Sequence, residues 1–152
     1  MKKSICIFIS LVFLLGCKKE EFVHPDYLIF GAIQGDCNSS CRFVYYLDNS
    51  TLKEDPSVKY FAEKKLNLFE TAVSNDKYLL AKDLINKVPI ALTKTNRTIF
   101  IDLNANNQNL FYAEIKLNGR TYEWTFDNST SSTPAYLKPF ADEMLKTINL
   151  IR

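Results

Sequence analysis

Residues 111–126 read FYAEIKLNGRTYEWTF, two alternating runs that meet at Asn118 and Gly119. Asn-Gly between such runs favours a two-residue type I′ turn, since both central positions then need positive φ. Counting outward from the turn predicts a β-hairpin pairing Leu117 with Arg120, Ile115 with Tyr122, Ala113 with Trp124 and Phe111 with Phe126. The last three pairs share an apolar face, on which small Ala113 leaves room for the Trp124 indole. The opposite face pairs Lys116 with Thr121, Glu114 with Glu123 and Tyr112 with Thr125, and is expected to be wet. A sheet with one such apolar face needs a second layer to bury it.

The flanking sequence supplies that layer. Tyr27–Ile33 is a continuous apolar, β-prone run, and Arg42–Leu47 alternates, with Phe43, Tyr45 and Leu47 on one side. Asn49 and Ser50 suggest a turn into a short strand over Thr51–Glu54, and residues 58–71 fit either a further strand or a helix, with a strand the expectation for 65–70. Asn75 or Asp76 can cap a helix over Asp76–Lys87, where Leu79, Leu80, Asp83, Leu84, Ile85 and Val88 follow helical spacing and Pro89 ends the run. Thr98–Leu103 reads as a strand with Ile99, Ile101 and Leu103 alternating. After a Ser/Thr-rich loop, Pro134 or Pro139 opens a last helix striped by Leu137, Ala141, Met144, Leu145 and Ile148. The expected architecture is α+β: a mainly antiparallel sheet with two helices packed on one face, all within one domain over residues 27–152.

The N-terminal sequence has a separate logic. Lys2 and Lys3 form a positive n-region, Ile5–Leu15 an apolar h-region, and small Gly16 stands where a signal peptidase needs a small side chain. The apolar run is about eleven residues, short of the roughly 20 that span a bilayer. A plain secretory signal is the rival reading. Leu14, Leu15, Gly16 and Cys17 resemble a lipobox, the signature of bacterial lipoproteins. The resemblance implies cleavage before Cys17, diacylglycerol on its thiol and a further acyl chain, such as palmitate, on the new amine. Each buried CH₂ contributes about 0.8 kcal/mol and two chains already anchor stably, so the expected partner is the membrane itself. The expected organisation is a signal peptide over residues 1–16, a lipidated N-terminus and tether over 17–26, and the domain. Glu20 and Glu21 resemble the acidic export signals of some surface-exposed lipoproteins, or simply solvate the tether. The location implied is the cell envelope, at the outer membrane, periplasmic or surface-exposed.

Removal of the signal changes the chemistry of the remainder. The precursor has 19 Lys+Arg against 17 Asp+Glu, and losing Lys2 and Lys3 brings the first figure down to 17, a formal balance. Nucleic-acid binding, which calls for clustered positive charge, is not expected. Of four cysteines, Cys6 leaves with the signal and Cys17 is acylated, so Cys37 and Cys41 remain. In an oxidising envelope such a pair is expected to form a disulfide, worth only about 2 kcal/mol in chain entropy for so short a loop. A metal site at this pair would need more ligands, and the one histidine, His24, lies in the tether. The Cys-x-x-x-Cys spacing does not match a redox Cys-x-x-Cys.

Candidate chemistry is sparse. Glu114 opposite Glu123 is unfavourable unless a cation lies between them, although Lys116, on the same face, can neutralise the pair. Tyr112 on that face is the aromatic expected to offer an exposed contact. Asp102, Asn104 and Asn106 imitate the start of a calcium loop, but Asn107 replaces its turn glycine and Ala113 its bidentate acid. No histidine in the domain leaves no triad, and there is no phosphate-binding glycine loop, so no metal or other cofactor is expected. Asp102 with Asp127 could do acid/base work on a glycan, given a suitable separation.

Gly35, Cys37, Cys41, the strand ending at Leu47, the helix ending at Val88 and Pro89, the Phe126–Asp127 strand end and Pro134, Tyr136 and Leu137 together resemble small uncharacterised bacterial lipoproteins. That resemblance implies a compact α+β domain and carries no catalytic residues over. The function expected is a non-enzymatic binding domain for an envelope protein or cell-wall glycan, with a glycan-directed hydrolase as the rival.

Overall fold

A computed structural model of the chain describes residues 22–33, 42–56, 73–102, 109–127 and 131–152. Its sheet comprises β1 (Tyr27–Ile33), β2 (Arg42–Asp48), β3 (Leu52–Glu54), β4 (Ile99–Phe100), β5 (Leu110–Leu117) and β6 (Arg120–Asp127). Their spatial order is β3-β2-β1-β5-β6-β4. All neighbours run antiparallel except β4 and β6, which are parallel. The helical layer contains α1 (Asn75–Ala81), a 3₁₀ segment over Lys82–Lys87, α2 (Ile90–Thr93) and α3 (Lys138–Ile151). The fold is α+β with a mostly antiparallel sheet.

The hairpin forms in the register counted from its turn, Leu117 facing Arg120 and Phe111 facing Phe126. Asn118 and Gly119 carry φ of 52° and 76°, as a type I′ turn demands. One face of the sheet, with Leu28, Phe30 and Ala32 of β1, Tyr45 and Leu47 of β2, and Phe111, Ala113 and Ile115 of β5, packs into the main core. Trp124 and Phe126 join it from β6, and Phe140, Ala141, Met144, Ile148 and Ile151 cover it from α3. Stacked ring pairs Phe30–Tyr45 and Phe111–Phe126, at 5.4 and 5.5 Å, fill the seam between strands. Pro139 occupies the first turn of α3, where its missing N–H costs no hydrogen bond.

Three expectations change. The helix expected over Asp76–Lys87 tightens after Ala81 into a 3₁₀ segment. With three residues per turn, Ala81 stacks over Leu84 and Ile85 over Val88, and all four are buried. Leu79 and Leu80 consequently face outward, 49% and 50% exposed. The residue before the helix is Ser74, with no side-chain cap bond, rather than Asn75 or Asp76. Among the described residues the strand expected at Thr98–Leu103 is confined to Ile99–Phe100 at the sheet edge, with the opposite phase. Phe100 takes the core position beside Phe126, and Ile99 is 61% exposed. The larger aromatic wins the apolar site, and the Arg97 guanidinium lies 4.7 Å above its ring.

The chain ahead of β1 is packed earlier than a free tether would be. Phe22 bridges Pro89, and Val23, buried in the core, donates its N–H to the Val88 carbonyl at 3.1 Å. Among the described residues no helix is long and apolar enough to cross a membrane. Cys17, Cys37, Cys41, Asn104, Asn106 and the strand expected at 65–70 lie outside the described residues.

Candidate functional site

The sheet face opposite the helices carries the predicted carboxylate pair, and β1 brings it partners. In the observed register Glu114 sits between Glu123 of β6 and Ile29 of β1, with Tyr27 diagonal to it. The Tyr27 hydroxyl donates to Glu114 Oε1 at 2.9 Å, and the Tyr112 hydroxyl lies 2.8 Å from Glu114 Oε2 and 3.3 Å from Glu123 Oε2. One phenol oxygen thus stands between two carboxylates. Burial, followed by the bond to Glu114 and its charge, pushes the Tyr27 phenol above its ordinary value.

Tyr112 is a correction to the sequence reading. It is only 2% exposed and forms a second apolar cluster with Ile29 and Val44, flanked by Tyr27 and Tyr46. The face is therefore half apolar. Central β1 carries apolar residues at both parities, Leu28 and Phe30 towards the helices and Ile29 away from them, as a strand buried on both sides does. Glu123 remains exposed and Glu114 half-buried. The Tyr27 and Tyr46 rings lie 5.5 Å apart beside them, and burial with the Asp48 charge raises the Tyr46 phenol as well.

The second pair, Asp102 and Asp127, is also brought together, at the end of the sheet where β6 finishes. Asp127 is fully buried. Its Oδ2 accepts the Asp102 N–H at 2.6 Å, while its Oδ1 accepts from Ser132 Oγ at 2.6 Å and from Thr133 Oγ1 at 3.2 Å. Thr133 Oγ1 also donates to the Asp127 carbonyl at 2.6 Å, and Ser131 Oγ donates to Asp102 Oδ2. Both carboxylate oxygens of Asp127 are thereby spent on joining β4, β6 and the segment leading into α3. Ser131, Ser132 and Thr133 had appeared in the sequence only as a polar loop; the pairing depends on a parallel β4–β6 contact that no local pattern announces.

In a glycosidase, two carboxyls flank the scissile bond with the sugar carbon between them. Here the Tyr112 oxygen fills the space between Glu114 and Glu123, and Asp127 is sealed inside. The exposed edge of the glutamate cluster, with its tyrosine rings, can instead attract a cationic or hydroxyl-bearing group. The other aromatics of the sheet and its surroundings divide between core and rim. Tyr45 and Trp124 are core, and Tyr122 and Tyr136 pack partly against it. A shallow groove of about 420 Å³ lies elsewhere, along Asp142, Leu145, Lys146, Asn149 and Leu150 of α3. Among the described residues no cluster of three or more His, Cys, Asp or Glu could hold a metal ion.

No family model, curated protein or solved structure matches the chain.

Proposed function

We propose that the chain is a membrane-anchored lipoprotein of the cell envelope whose α+β domain is a non-enzymatic binding module for an envelope protein or cell-wall glycan. The observation that carries this reading is the order Lys2-Lys3, Ile5–Leu15, Gly16, Cys17, in which a cysteine falls directly after the expected cut. Engagement of Asp127 in structural bonds, and of Glu114 and Glu123 with one tyrosine hydroxyl, supports binding over hydrolysis. The outer membrane is the location that fits best.

Cys17→Ser tests the anchor. The variant is expected to lose its acyl chains and leave the membrane fraction while the domain keeps its circular dichroism and melting temperature. Membrane retention of an unmodified form contradicts the reading. Affinity capture from intact envelopes then identifies the partner, and Glu123→Ala, on the exposed rim, is expected to weaken that capture without unfolding the domain.

A further inference from the structure

The place where the chain becomes fixed to the domain lies close to the proposed site of acylation. Val23 is 6% exposed, and its backbone is tied to Val88. His24 Nδ1 meets Asn86 Oδ1 at 3.0 Å, and the Asp26 N–H donates to the Lys116 carbonyl at 2.8 Å. The chain is therefore docked on the domain from Phe22 onward, ahead of Tyr27, where the sheet begins. From Cys17 to Phe22 a fully extended chain reaches roughly 17 Å. Crossing one headgroup layer uses about 5–7 Å of that, leaving roughly 10 Å between Phe22 and the bilayer surface at most. Phe22 itself is 42% exposed, an aromatic on the side from which the anchor leaves.

The sheet register gives this arrangement a direction. Tyr27 faces Asp48 and Lys116, so the chain joins the sheet at the end bearing the β2–β3 and Asn118–Gly119 turns. β1 then leads away for roughly 20 Å to Ile33, which faces Arg42 and Leu110. Leu110 faces Asp127, placing the buried aspartate at the same distal end.

Resting on the lipid-anchor reading, we propose that the domain lies directly on the bilayer holding its anchor, with Phe22 seated among the phospholipid headgroups and the Ile33–Arg42 end of the sheet pointing away. Aromatic side chains suit that layer, where an apolar ring meets lipid and its backbone stays wet. The surface free for a partner is then the distal end and the flanks of the sheet, and the bilayer shields the Phe22 end.

The test uses the acylated, membrane-extracted chain reconstituted into phosphatidylcholine–phosphatidylglycerol vesicles, with or without lipids brominated near the headgroup. Phe22→Trp and Arg42→Trp are compared above the common background of core Trp124. The expected result is that the Phe22→Trp emission falls clearly in brominated vesicles while that of Arg42→Trp is unchanged. Acylated, vesicle-bound protein in which neither tryptophan is quenched, or in which both are quenched equally, overturns the orientation alone. A purified protein whose intact mass shows no acyl chains overturns the lipid-anchor reading and this inference with it.

Discussion

Asp127 and Tyr45 are both fully buried polar residues, and their surroundings give opposite expectations. Asp127 accepts three side-chain-directed bonds and closes the junction of β4, β6 and the α3 approach. Asp127→Ala leaves the part-buried Asp102 N–H and the Ser132 hydroxyl without their acceptor, while the Thr133 hydroxyl keeps the Asp127 carbonyl, and is expected to cost about 2 kcal/mol, read as a lowered urea midpoint. A loss below about 1 kcal/mol would contradict the structural role and reopen a chemical one. Among the described residues the Tyr45 hydroxyl has no hydrogen-bond partner, and burial, then the Glu54 charge, pushes its phenol well above the ordinary value against the pull of Arg152. Tyr45→Phe removes an unsatisfied oxygen and keeps the ring stacked on Phe30. It is expected to leave stability unchanged or raise it by up to about 1 kcal/mol in the same urea titration. Marked destabilisation would mean that the hydroxyl is satisfied after all.

At the scale of elements, the 3₁₀ segment docks on α3 partly through Lys87, whose Nζ lies 2.7 Å from Glu143 Oε1, with Lys146 more loosely placed at 3.7 Å. The Lys87 bond, aided by both lysine charges and opposed by partial burial, holds the Glu143 carboxyl below its ordinary value. A carboxyl depressed by folding contributes stability above its unfolded pKa of about 4.3, and that contribution is lost as pH falls through the folded value. Both partners are partly exposed, so Glu143→Gln is expected to lower stability by no more than about 1 kcal/mol at neutral pH. The difference from wild type should vanish in acid; a difference independent of pH would assign it to packing. The elements also show what could be read from the chain beforehand. β1, β2 and the hairpin carry their information locally, in alternation and in Asn118-Gly119, and the helical stripe of α3 is equally local. The 3₁₀ tightening was hidden because Leu79 and Leu80 fit an α-helical stripe as well as Ala81 and Leu84 fit a 3₁₀ one. The phase of β4 depends on a parallel partner, β6, far away in sequence. For the site, the opposition of Glu114 and Glu123 followed from the turn, whereas the hydroxyl of Tyr27 and the burial of Tyr112 required the β1–β5 register, which no turn sets.

At the scale of the whole molecule, the proposed lipoprotein would couple a removable address to a sheet whose helices cover one face and whose other face holds a small apolar cluster beside two glutamates. Charge balance after signal removal, a first docked residue only a few positions beyond Cys17, and carboxylates engaged with tyrosine hydroxyls all fit a short-tethered binding module. Each of these points depends on the fate of one residue. The most direct measurement is mass spectrometry of the N-terminal peptide of protein purified from membranes. The account predicts a peptide that begins at Cys17 and carries a thioether-linked diacylglycerol and an amide-linked acyl chain. A peptide that begins at Met1, or one that begins elsewhere with Cys17 unmodified, would contradict it.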